Sequence, residues 1–72
     1  MTDEIPVTVK IQIIQGLIKE VDMAIFRITC AYNANRKVGT SPEQLKAMLD
    51  ELTRLEGLKM AYQEQLKELE NR

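Results

Sequence analysis

Residues 17 to 34 read Leu17-Ile18-Lys19-Glu20-Val21-Asp22-Met23-Ala24-Ile25-Phe26-Arg27-Ile28-Thr29-Cys30-Ala31-Tyr32-Asn33-Ala34, and only Lys19, Glu20, Asp22 and Arg27 in this run carry charge. Leu17, Val21, Ala24, Ile28 and Ala31 recur at spacings of three and four, and Ile18 and Ile25 widen that stripe. Met23, Phe26 and Cys30 make a second stripe at the same spacing, pointing elsewhere. A helix that is apolar on more than one face is normally buried on more than one face. With 72 residues the chain has little to cover it with. The expectation is that a second copy or a partner covers the remainder.

Composition narrows the means of stabilisation. Chains this short usually need disulfides, a metal or oligomerisation to hold a core together. One cysteine and no histidine allow neither an internal disulfide nor a structural zinc site. Oligomerisation is what remains. A net charge of −1 and a pI near 5.4 argue against a general nucleic-acid binder, which is normally strongly basic.

No targeting signal is apparent. The chain begins Met1-Thr2-Asp3-Glu4, acidic where a signal peptide would be basic. The longest uncharged runs, 11–18 and 28–35, are eight residues each. A membrane span takes about 20 apolar residues. The expected setting is therefore soluble, reducing and cytoplasmic, with no membrane.

Outward from the opening stretch, residues 1–6 read as a leader punctuated by Pro6, with Asp3 and Glu4 suited to a helix N-terminus. Residues 7–13 are ambiguous. Ile5, Val7, Val9, Ile11 and Ile13 alternate with Thr8, Lys10 and Gln12, which is the period of a strand. A first helix over 7–37 is the reading adopted, with a short strand or extended arm at 7–13 as the alternative. Arg36 and Lys37 place positive charge at the C-terminal end of the dipole, and Gly39 suits the position just beyond it.

The turn, 38–41, leads to a well-marked second start. Ser41 is an N-cap, Pro42 fits the first helical position, and Gln44 stands three residues after the cap, as in a capping box. Helix 2 is expected over 42–70. Leu45, Met48, Leu52, Leu55, Tyr62, Leu66 and Leu69 fall on a and d positions of a heptad, and Lys59 takes the one polar a position. A polar residue there either fixes register or lays its stem along the seam with its ammonium in water, the reading preferred here. Lys46–Asp50, Asp50–Arg54 and Glu68–Arg72 are spaced as i,i+4 pairs on the solvated side.

A four-residue turn makes the two helices antiparallel neighbours. The expected fold is thus all-α, an antiparallel two-helix hairpin in one domain that self-associates into a bundle or ring. Helix 2 offers one apolar stripe and covers one stripe of helix 1, leaving Met23, Phe26 and Cys30 as the expected interface. Gly16 and Gly57 lie inside helices; Gly16 permits a close crossing or is simply tolerated, and Gly57 has no evident role.

Nothing in the sequence supports catalysis. No histidine can act as base, Ser41 is accounted for as a cap, and Cys30 on an apolar stripe is expected to be buried and unreactive. The helix 2 carboxylates are scattered around solvated faces, so no metal site and no cofactor is expected. The polar region of interest is the hairpin tip. From Met23 to Pro42 there is no acidic residue, while Arg27, Arg36 and Lys37 lie within it among Tyr32, Asn33, Thr40 and Ser41. Cations and hydroxyls beside the start of a helix make a candidate anion site, with Tyr32 able to stack on a base or a guanidinium. The plainer reading is ordinary helix-end and loop chemistry. From Thr40 onward the chain carries five cations and seven acids, which again disfavours nucleic acid as the ligand.

The layout resembles small phage-encoded helical-hairpin proteins. The likeness rests on an apolar first helix ending Tyr32-Asn33-Ala34-Asn35-Arg36-Lys37-Val38-Gly39 and a capped second helix containing Leu49-Asp50-Glu51-Leu52-Thr53-Arg54-Leu55-Glu56. It covers residues 17 to 70 and is one of pattern, with no binding motif that maps residue by residue. Some such proteins oligomerise and sequester cyclic-nucleotide immune signals. The resemblance therefore implies a homo-oligomeric anti-defence sponge for a phosphate-bearing nucleotide in the host cytoplasm. The alternative is a protein-interaction module whose exposed helix 1 stripe docks on a partner protein.

Overall fold

The computed structural model describes residues 5–71. Two helices fill almost all of that span: α1, Val7–Lys37, and α2, Pro42–Glu70. They pack side by side as a hairpin about 56 Å long and 20 by 14 Å in section. The alternating stretch at 7–13 is helical. Pro6 sits at the N-cap, and its carbonyl accepts from the Val9 and Lys10 amides, each at 3.0 Å. With no parallel or antiparallel neighbour to complete a ladder, local hydrogen bonding decides in favour of the helix. Most of the expected leader, including Asp3 and Glu4, lies outside the described residues.

The inner face of α1 is a regular heptad. Ile11, Ile14, Ile18, Val21, Ile25, Ile28, Tyr32 and Asn35 alternate at three and four, and all are half-buried or buried. This stripe is rotated slightly from the one expected. Leu17 and Ala24 are half-buried on its flank, whereas Ala31 is exposed. The whole heptad seam of α2, including Lys59, is at least half-buried, with Leu58 beside it. Yet only Val21 and Leu55 fall to 6% exposure. Two helices meeting along one line cannot enclose a core.

The connection is closed by hydrogen bonds. Thr40 N–H donates to the Asn35 carbonyl at 3.0 Å and Gly39 N–H to the Arg36 carbonyl at 3.4 Å. This is the Schellman pattern, and it needs the left-handed residue that Gly39 supplies with φ of 80°. Ser41 Oγ accepts from Gln44 N–H at 3.3 Å, capping α2.

Several side-chain expectations need correction. The Lys59 stem lies on the half-buried seam, but its ammonium, still partly in water, also pairs with Asp22 of α1 at 2.7 Å. Lys46 pairs with Asp50 at 3.0 Å, but Arg54 turns to Glu51 rather than Asp50. Its Nε and Nη2 donate to the two Glu51 oxygens at 2.9 and 2.7 Å, a fork geometry that one bond to Asp50 could not match. Those hydrogen bonds, ahead of the guanidinium charge itself, hold the Glu51 carboxyl below its ordinary pKa and raise that of Arg54. The Glu68–Arg72 pair involves a residue outside those described. Gly16 faces open space, as does Gly57, so no close crossing within the hairpin depends on either.

Candidate functional site

The helix 1 residues left uncovered by α2 form a distinct face. Met23 and Cys30 are one heptad apart and Phe26 lies between them, on the side of α1 directed away from α2. Phe26 is 70% exposed and Met23 48%. Together with Asp22 and Arg27 these side chains line a shallow depression. Cys30 is exposed, against the expectation of a buried thiol. The reason is geometric: its stripe points away from α2, so burial would require a further chain.

Thr29, a weak helix former near this face, donates its hydroxyl back to the Ile25 carbonyl of its own helix at 2.7 Å. Exposing a phenylalanine and a methionine forgoes about 1.5–3 kcal/mol each relative to full burial. Among the described residues there is no cluster of metal-ligating side chains.

The tip gathers only part of the proposed anion set. Tyr32 is half-buried at the end of the inner stripe, and the Arg36 guanidinium lies 5.8 Å from its ring centroid. Thr40 Oγ1 donates to Asn35 Oδ1 at 2.7 Å, while Asn35 Nδ2 donates to the Ala31 carbonyl at 2.7 Å. Ser41 Oγ accepts the capping bond from Gln44 N–H. Asn33, Arg36 and Lys37 remain exposed. Arg27 is not in this group. It stands nine residues before Arg36, about 14 Å along the helix, beside Phe26.

Asp22 and Lys59 are the pair that sequence reasoning missed. The signal was available in the hairpin itself. A turn centred near 39 and 40 brings residues whose numbers sum to about 80 to the same level, and Asp22 and Lys59 satisfy that.

No family model, curated protein or solved structure matches the chain. No described helix is long and apolar enough to cross a membrane.

Proposed function

We propose that this chain is a non-enzymatic helical interaction module that works by docking the outer face of α1 against another apolar helix. The observation that carries this reading is Phe26, 70% exposed beside Met23 in a hairpin with two buried side chains. A helix with apolar stripes on two faces suits the middle of an assembly, whereas α2, with one seam and mostly polar remaining faces on which Leu49 and Met60 stand exposed, suits its outside. Light scattering tests it. The native chain should run as a multiple of its 8.3 kDa mass, and Phe26→Asp should return it to one subunit. An unchanged mass for Phe26→Asp overturns the reading.

A second reading is sequestration of a phosphate-bearing nucleotide by the assembled tips. It draws support from the exposed Arg36 and Lys37 and from the absence of acidic residues between Met23 and Pro42. Oligomerisation would multiply such tips. The two readings are therefore compatible, with docking as the prior requirement.

A further inference from the structure

The outer face of α1 carries its own three-four register. Gln12, Lys19, Phe26 and Asn33 repeat every seven residues, interleaved with Gly16, Met23, Cys30 and Lys37. The seam runs back to Val9, 38% exposed, but its most exposed large apolar side chain, Phe26, and Met23 lie at the middle, so a partner centres there. One flank of the seam bears Glu20 and Arg27, seven residues apart and so nearly in line along the helix. The other bears Asp22, which is already engaged by Lys59 at 2.7 Å. Glu20 and Arg27 are both exposed and form no ion pair among the described residues. Neither has an opposite charge three or four residues away on α1.

When two helices pack antiparallel about a two-fold axis, positions on the same flank face each other. Setting Met23 against the partner's Phe26 then sets Arg27 against the partner's Glu20, and symmetry repeats both contacts. Lys19 falls opposite the partner's Cys30 and Lys37 opposite the partner's Gln12, so no like charges meet. A parallel arrangement would stack Lys19 on Lys19 and Lys37 on Lys37.

We infer that the outer face of α1 is an isologous, antiparallel interface with a second copy of this chain, in which Met23 packs on the partner's Phe26 and Arg27 pairs with the partner's Glu20. The inference rests on the docking reading above and names its occupant. The two α1 helices become the inner layer and the two α2 helices the outer one, which gives each stripe of α1 a cover.

Charge reversal tests the register. Glu20→Lys and Arg27→Glu each oppose like charges at two symmetric points, and each should weaken self-association roughly ten- to thirtyfold at low salt. The double variant Glu20→Lys/Arg27→Glu should recover native affinity. An equimolar mixture of the single variants should form heterodimers, because every facing pair is then opposite in sign. Analytical ultracentrifugation and native mass spectrometry read these outcomes, with circular dichroism showing that each variant is helical. Singles that associate as tightly as the native chain, or a mixture no tighter than the singles, overturn the antiparallel register. If Phe26→Asp still dissociates the native assembly in that case, docking survives and only the register falls. A native chain that stays at 8.3 kDa at 100-fold dilution and at its highest soluble concentration overturns self-docking, leaving a foreign helix as the occupant.

Discussion

The Lys59 ammonium reaches across from α2 to the Asp22 carboxylate at 2.7 Å, at the one polar position in the α2 seam. The two side chains retain 33% and 49% exposure, so neither pays a full desolvation cost. Apolar stripes tolerate sliding by a heptad; a fixed charge pair does not. The pair therefore acts mainly on register and modestly on stability.

Replacing Lys59 with Leu separates those roles. The seam would then be continuous from Leu45 to Leu69, and Asp22 would stay partly in water rather than be left as a buried orphan charge. Loss of an exposed ion pair costs about 0.2–1 kcal/mol. The added apolar contact contributes about 1 kcal/mol or more beyond the lysine stem. The urea midpoint should rise. A fall would show that the ion pair outweighs the packing it interrupts.

Leu55 offers the opposite case. It is 6% exposed and, with Val21, one of the two most buried apolar side chains among the described residues. Leu55→Ala should cost about 2–5 kcal/mol. A scaffold of this size holds roughly 3–5 kcal/mol in all. The variant should lose most of its helical dichroism at 25 °C, whereas Leu49→Ala, at a position 43% exposed, should keep it. Equal losses would mean that the hairpin is not held by its central seam.

The architecture was legible because it depends on local signals. Ser41, Pro42 and Gly39 each leave one backbone solution, and the α2 heptad specifies one face. The strand-like alternation at Val7, Val9, Ile11 and Ile13 leaves 7–13 ambiguous; in the helix only Val7 and Ile11 line up with Ile14 and Ile18, while Val9 and Ile13 stand off the seam, 38% and 49% exposed. Side-chain partners were less legible. Arg54 had Asp50 and Glu51 within reach, and fork geometry, invisible in spacing, decides between them. At the tip, the sequence grouped Arg27 with Arg36 by charge alone. The helix places them about 14 Å apart along its axis and takes up Thr40 and Ser41 in the turn.

The glycines should respond with opposite signs. Gly39 holds φ of 80° in the Schellman turn, so Gly39→Ala should lower the thermal midpoint by the equivalent of about 1–2 kcal/mol. Gly57 lies inside α2 with open space where a Cβ would go, and Gly57→Ala should raise stability by about 0.5–1 kcal/mol. A neutral Gly39→Ala would show that the turn has an alternative closure.

The cationic tip is testable independently of assembly. If the tips hold a phosphate-bearing nucleotide, Arg36 and Lys37 must supply the charge, since Ser41 and Thr40 are neutral and Arg27 stands about 14 Å away along the helix. Hydrogen bonds to charged groups contribute about 1.5–3 kcal/mol each. Arg36→Glu with Lys37→Glu should therefore weaken binding of a cyclic nucleotide by more than a hundredfold in calorimetry. Both side chains are exposed, and Lys37 stands at the end of the outer α1 seam, opposite the partner's uncharged Gln12, so no facing charge is lost and subunit mass should not change. Release of the Arg36 guanidinium from the Tyr32 ring, 5.8 Å away, should cost only about 0.5–1 kcal/mol of stability. Native chain and double variant that bind a panel of cyclic nucleotides equally, or not at all, would remove the tip from consideration and leave docking by α1 as the chain's function.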